Sequence, residues 1–196
     1  RDSGNEVVIE EFLAGPEISI HAISDGKSYK LFPSAQDHKR ALDGDKGKNT
    51  GGMGVIGPLP FVTEASMKEI DEKVVKPTFE ALRARGITFS GLLYPGLILS
   101  DKGPKVLEYN ARFGDPEAQV YVRLMKTDIL DVLESCVDGT LENQPIEWEK
   151  GYAVNIVLAS GGYPDAHDNG KPITGIDEAE KIPGVIVFHA GVLVLL

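Results

Sequence analysis

The run from Lys105 through Glu117 constrains this chain more than any other stretch. Its first half has the character of a β-strand, and strand side chains alternate between faces with a period of two. Glu108, Asn110 and Arg112 are then expected on one side, and Leu107, Tyr109 and Ala111 on the other, where they can pack. A carboxylate and an amide oxygen two residues apart are hard ligands at a spacing that suits Mg²⁺. A guanidinium one step further on can hold a phosphate or an acyl oxyanion. Asp115-Pro116-Glu117 then reads as a helix start, with Asp115 as N-cap, Pro116 at the first helical position and Glu117 in the first turn. Spacing alone is equally compatible with a solvated face of an antiparallel sheet. Two features favour a site. The preceding stretch, residues 91–99, is rich in apolar residues, which makes the hairpin central, and the patterned run is longer than a chance arrangement of charges.

A second informative segment spans residues 36–60. It contains Gln36-Asp37-His38-Lys39-Arg40, then Lys46, Lys48 and Asn49-Thr50-Gly51-Gly52-Met53-Gly54. It shows no clear period and reads as a long functional loop. Closely spaced glycines let backbone N–H groups approach an anion. Local positive charge from Lys39, Arg40, Lys46 and Lys48 makes a phosphate-bearing small molecule the natural guest. Three rival motifs fail. Gly52, Gly54 and Gly57 match a dinucleotide fingerprint, but a loop precedes them and Pro58 follows. A calcium loop starting at Asp43 would need a bidentate Glu where Gly54 stands. The chain has no ordinary P-loop.

The formal net charge of −10 argues against nucleic acid as a partner, since phosphate backbones need a basic surface. The single cysteine, Cys136, excludes an internal disulfide and reads as a buried thiol. No apolar run reaches bilayer length and no signal peptide opens the chain, so neither a membrane nor secretion is expected, and a reducing, cytoplasmic setting is. The opening at Arg1 and the apolar close over residues 192–196 suggest a piece of a longer polypeptide.

Taken in order, residues 7–13 read as a strand, residues 17–23 as a second and residues 29–32 as a third, with a hairpin at Asp25-Gly26. His21, isolated in its strand, reads as structural. Of the adjacent carboxylates Glu10 and Glu11, one can point inward and accept ribose hydroxyls. Residues 63–85 read as a helix capped by Thr63, interrupted at Pro77 and ended by Gly86. Residues 91–99 and 105–110 form a hairpin, with Pro95 marking an edge or a bulge. Helices follow at 116–125 and 128–138. The second is capped by Thr127 and carries core positions Ile129, Leu130, Val132, Leu133, Cys136 and Val137. Trp148 reads as an anchor, residues 152–159 and 185–189 as strands, and Ser160-Gly161-Gly162-Tyr163-Pro164 as a turn. No chemistry attaches to His167 or His189.

The motifs Glu10-Glu11-Phe12-Leu13, Gln36-Asp37-His38-Lys39-Arg40, Asn49-Thr50-Gly51-Gly52-Met53-Gly54, the run from Glu108 through Glu117, Gly161-Gly162-Tyr163-Pro164 and Phe188-His189-Ala190-Gly191 occur in this order. The set resembles the phosphoribosylamine–glycine ligase family, ATP-grasp enzymes of purine biosynthesis, over nearly the whole chain. The resemblance implies a mixed α+β fold: an incomplete ATP-grasp antiparallel sheet with flanking helices over residues 1–145, and the start of a small β-rich C-terminal domain over 146–196. It implies ATP-dependent coupling of glycine to 5-phosphoribosylamine through an acyl phosphate, with ADP and phosphate released. Glu10, Glu11, Phe12, Leu13 and Glu17 would serve the nucleotide, and Glu108 and Asn110 would hold Mg²⁺ or Mn²⁺. Arg112 and Asp37 would be catalytic. Lys39, Arg40, Asn49, Thr50, Gly51, Gly52, Met53, Gly54, Asp115 and Glu117 would line the substrate site. The family's first domain and glycine-rich lid would precede Arg1, and most of its last domain would follow Gly191. This chain alone is therefore expected to be inactive, and the parent enzyme to be a monomer. Pro95 stands where a small residue is expected. Two other readings are an ATP-grasp ligase for a different carboxylate and amine, and a non-catalytic nucleotide-binding module.

Overall fold

Residues 90–100 are apolar along almost their whole length because the strand they form is covered on both faces. The computed structural model describes residues 7–193. Arg1 through Glu6 and Val194 through Leu196, where the sequence suggests abrupt ends, lie outside the described residues. The strands in chain order are β1 (Glu17–Ser19), β2 (Ala22–Asp25), β3 (Tyr29–Leu31), β4 (Gln36–Asp37), β5 (Arg40–Leu42), β6 (Lys46–Asn49), β7 (Gly54–Gly57), β8 (Ser90–Ser100), β9 (Gly103–Asn110) and β10 (Ala153–Ile156). All their pairings are antiparallel. β8 is the centre of a five-stranded sheet: β1 and β2 pair with it in succession, β3 extends β2, and β9 also pairs with β8. A second sheet runs β10-β7-β4, and β5 and β6 form a separate hairpin.

Pro95 lies where pairing to β8 passes from β1, opposite Gly96, to β2, opposite Leu93. Its carbonyl accepts from Ile20 N at 3.3 Å. A residue without an N–H is tolerated here because the ladder is already interrupted. Of the two positions the sequence suggests, a bulge is found and an edge is not. Gly96 pairs with Glu108 and Leu97 with Val106, so Leu107 is the extra residue.

One face of the central sheet packs against a helical stretch made of α1 (Glu64–Ile70), a π-helical turn over Asp71–Val75 and α2 (Lys76–Ala84). Thr63 caps α1, accepting from Ser66 N. The π turn ends at Val75, two residues before Pro77, so the helix widens where the proline removes a backbone donor from a continuous helical stretch. Ile70, Val75 and Phe79 bury here against Ala22, Leu93 and Leu97. The opposite face meets α3 (Glu117–Leu124) and α4 (Ile129–Asp138), through Ile23 and Leu92 against Val120, Tyr121, Val132 and Cys136. Adjacent residues such as Leu92 and Leu93 thus enter different cores, as strand alternation requires. A short 3₁₀ turn (Leu141–Asn143) and a last helix, α5 (Ile176–Glu180), complete the chain. None of these helices is long and apolar enough to cross a membrane.

Several local expectations are corrected. Residues 7–13 form no strand and are mostly exposed, with no neighbouring strand to pair with. Residues 17–23 are broken at Ile20-His21 into two strands, and both sets of side chains are buried because both faces are covered. Residues 36–60 are not one loop but four short strands and their turns. α4 is capped by Asp128, which accepts from Leu130 N at 2.9 Å, whereas Thr127 Oγ1 accepts from Glu147 N. On α4 only Val132, Ser135 and Cys136 are buried; Leu130, Leu133 and Val137 are exposed, because one narrow stripe faces the sheet. Residues 185–189 form no strand. Trp148 anchors the connection after α4, with its ring 5.1 Å from that of Phe32. β10 pairs with β7 along its whole length.

Candidate active site

The bulge at Leu107 decides the chemistry of β9. Beyond it Glu108 and Asn110 share a face, while Tyr109 turns toward α2 and bonds Thr78 at 2.8 Å. Leu107 lines the same cleft as Glu108 instead of packing with Tyr109, which corrects the uninterrupted alternation expected from sequence. Tyr109 and Leu107 both stay 40% exposed or more, so neither is core. Arg112 lies two residues past the end of β9, yet its side chain still joins the same group. Asn110 Nδ2 donates to Glu108 Oε1 at 3.2 Å, and Arg112 Nη2 donates to Asn110 Oδ1 at 3.4 Å. A second Arg112 nitrogen donates to the Phe113 carbonyl at 2.9 Å. The three side chains singled out first are therefore brought together at the open end of the hairpin, Glu108 and Arg112 exposed and Asn110 half-buried.

Next to Glu108 is a small cleft between β1, β4, β8 and β9, lined by Glu17, Ser19, Asp37, Lys39, Tyr94 and Glu108. Lys39 Nζ is 3.7 Å from Glu17. Asp37 is partly buried, and its Oδ1 has no hydrogen-bond partner. Burial and then the nearby Glu117 carboxylate push Asp37 up to about 7, against the opposing charge of Lys39. Gly52 lies against this carboxylate: a side chain there would run into Asp37 and Pro116. Gly96, opposite Glu108 on β8, likewise leaves room for the Glu108 side chain.

Glu117 was expected in the first turn of its helix, and it is there, but at 1% exposure it is a core residue. Its Oε1 accepts from Ser19 Oγ and Tyr94 Oη, each at 2.6 Å. A buried carboxylate needs such donors. Burial and Glu117 together hold the Tyr94 phenol well above its usual range. Asp115 does not cap α3; it accepts from the Gln119 side chain at 2.8 Å, and the helix begins at Glu117. Ser19 and Tyr94 are functional neighbours that pattern reading misses, because nothing local marks a Ser or a Tyr in a buried strand as the holder of a distant carboxylate.

The glycine-rich segment is folded back on β4 and β5. Thr50 N and Oγ1 both donate to the Lys39 carbonyl, at 2.7 and 2.8 Å, and Gly52 N donates to Thr50 Oγ1 at 3.0 Å. Met53 N donates to the His38 carbonyl, and Gly54 opens β7 opposite Ile156. Gly51 N donates to the Tyr163 hydroxyl at 3.1 Å. Arg40 points away, donating to the Gly47 carbonyl within its own hairpin, and Asn49 ends that hairpin, exposed. The residues Glu10, Glu11 and Phe12 are exposed on an irregular segment and Leu13 is half-buried; none of them lines the cleft.

A divalent cation held on this face would take one oxygen from Glu108 and one from Asn110, an all-oxygen donor set that fits a hard ion. Among the described residues no three His, Cys, Asp or Glu side chains converge as a metal cluster.

The antiparallel sheet with helices on both faces is an ATP-grasp fold, as the following matches show. The ATP-grasp (A) domain of phosphoribosylglycinamide synthetase matches residues 1–118. The chain is 50% identical over 190 residues to the phosphoribosylamine–glycine ligase of Chlorobaculum tepidum, covering 97% of this chain and 45% of that protein. To the ligase of the same name from Rhodopirellula baltica it is 46% identical over 190 residues, covering 96% of this chain and 44% of that one. The crystal structure of the phosphoribosylamine–glycine ligase of Thermotoga maritima superposes with a TM-score of 0.73 at 40% identity, over 81% of this chain and 40% of that one. An L-amino acid ligase from Bacillus licheniformis shares the fold at a TM-score of 0.53 and 21% identity, over 77% of this chain and 37% of that one. This chain belongs to the phosphoribosylglycinamide synthetase ATP-grasp domain family. It spans less than half the length of the curated relatives it matches.

Proposed function

We propose that this chain is part of an ATP-dependent ligase that joins glycine to 5-phosphoribosylamine, releasing ADP and phosphate. The observation that carries the reading is the linked set Glu108, Asn110 and Arg112 beside the cleft that holds Asp37. Glu108 and Asn110 would hold Mg²⁺ or Mn²⁺, which would neutralise charge on the ATP phosphates. An oxygen of the glycine carboxylate attacks the γ-phosphorus and the bond to ADP breaks, giving an acyl phosphate. The amine nitrogen then attacks the acyl carbon, phosphate leaves, and the amine gives up a proton. Arg112 faces the negative charge that develops on the transferring group. Asp37, whose pKa of about 7 leaves part of it ionised at neutral pH, is matched in its carboxylate form to take the proton of the attacking amine. Lys39 and the segment Thr50-Gly51-Gly52, whose own N–H groups are held by the Lys39 carbonyl, Tyr163 and Thr50, line the substrate side, with Arg40, Asn49, Met53, Gly54 and Asp115 in the segments around it. Glu117 orders that side from within the core. Glu10, Glu11, Phe12, Leu13 and Glu17 serve the adenosine.

In this reading an ATP-grasp portion covers residues 1–145, and a β-rich unit begins at 146, whose first strand, β10, completes the sheet of β7. The protein works in the cytoplasm on small molecules, without nucleic acid or membrane as partner, and its parent is a monomer. The test is ADP release by the complete polypeptide. Release should depend on glycine and on 5-phosphoribosylamine together. Release that ignores glycine would replace this substrate assignment with another carboxylate.

A further inference from the structure

We propose that His21 is a positioning residue of this site: its imidazole anchors the turn carrying Arg112 by accepting a hydrogen bond from the Gly114 amide. The contact stands on geometry alone, and its consequence for catalysis rests on the ligase reading above. His21 occupies the link between β1 and β2 and is fully buried. Its ring stacks on Tyr94 with centroids 4.1 Å apart and meets Tyr121 edge-on at 4.8 Å. Gly114 N donates to Nε2 at 3.1 Å, and Nδ1 lies 2.8 Å from the Tyr121 hydroxyl. A backbone amide can only donate, so Nε2 carries a lone pair and the ring proton sits on Nδ1. Burial, and then the Arg112 charge, lower His21 to about 3, which keeps that acceptor available.

The turn depends on this bond because its other polar contacts are local. Arg112 bonds Asn110 and Phe113, and the Gly114 carbonyl accepts from Ala118 N at the start of α3. Phe113 packs partly against the core, but an apolar contact is non-directional and does not orient a peptide plane. At the Gly114 amide the β1–β2 link grips the turn itself; the next hold from other elements is at Glu117, on α3, through Ser19 and Tyr94. Gly114 is itself buried, so water cannot take over as acceptor. This gives the lone histidine of the buried strands a task that its position in the sequence does not announce.

The test compares His21→Phe, which keeps the stacked ring and removes the acceptor, with His21→Gln, whose amide oxygen reaches about as far as Nε2. Hydrogen exchange in the complete polypeptide is followed by mass spectrometry on peptides covering residues 111–118 and β8. In His21→Phe the 111–118 peptide should exchange on the order of tenfold faster, the effect of losing one hydrogen bond, while β8 stays protected. kcat should fall about tenfold or more, as for a misplaced catalytic group, with KM for ATP little changed. His21→Gln should restore both. Unchanged exchange in His21→Phe overturns the proposal, as does loss of β8 protection in both variants, which marks a merely structural role. Faster exchange with unchanged kcat overturns the positioning role. If the unsubstituted protein shows no glycine-dependent activity, the ligase reading fails while the exchange data still decide the anchoring.

Discussion

Asp37 and Glu108 sit in one cleft, yet their surroundings assign them opposite work. Asp37 is half-buried beside another carboxylate, with one oxygen unpartnered. Its pKa in the folded chain, about 7, lies above the ordinary 3.8, so the folded chain holds the proton more tightly than the unfolded one. Stability on this account falls as pH rises from about 4 to about 7 and is level beyond. Asp37→Asn removes the effect, so the variant should gain stability relative to the parent sequence as pH rises across that window in urea titrations, and a difference independent of pH would contradict it. His21 works in the other direction: its lowered pKa makes stability rise with pH from about 3 to 6.5, which is why single variants rather than the bare pH profile separate the two. Glu108 is exposed and bonded only by its neighbour Asn110. Glu108→Gln should leave the unfolding transition in place and weaken the Mg²⁺ or Mn²⁺ dependence of activity at least about tenfold. A metal titration superimposing on that of the parent sequence would remove Glu108 from the ion's shell.

At the scale of elements, two local devices set where the site residues point. The bulge at Leu107 inserts one residue into β9 and sets Glu108 in the cleft, with Asn110 bonded to it, while Tyr109 reaches α2. Simple alternation predicts the shared face of Glu108 and Asn110 correctly but cannot show that Leu107 leaves the packing side, since a bulge is a property of pairing with β8. The second device is capping. Asp128 takes the N-cap of α4 while Thr127 is drawn to Glu147 N, a residue brought near only by the return of the chain after the helix. Asp128→Ala should therefore lower stability by about 1 kcal/mol in denaturant melts; no measurable loss would mean the cap is silent. The hairpin of β8 and β9, the split of the 63–85 helix before Pro77 and the Thr63 cap were all legible, because turn chemistry, period and proline act within a few residues. The short strands over residues 36–57 were not, because each is too brief to show a period; β4 and β7 exist through the sheet that β10 completes, and β5 and β6 only through each other.

At the scale of the whole molecule, the turn holding Tyr163 and Asp165 rests on the glycine-rich segment, through Gly51 N to Tyr163 and Lys48 to Asp165 at 2.6 Å. Both members of the ion pair are largely exposed, so Asp165→Asn should change stability by less than about 1 kcal/mol, and the effect should shrink further in high salt. A larger loss would show that the turn holds the two parts of the chain together through that charge. The sequence by itself determined the sheet hairpin, the helical positions, the alternation that groups Glu108 with Asn110, and the ordered motifs that mark the family, since all of these are periodicities and neighbour relations along the chain. Only the tertiary structure decided that Glu117 lies in the core under Ser19 and Tyr94, that Asp37 meets it, and that His21 grips Gly114. Those contacts join residues as many as 98 positions apart in the chain, and the free energy of a buried polar group depends on which distant partner arrives to satisfy it.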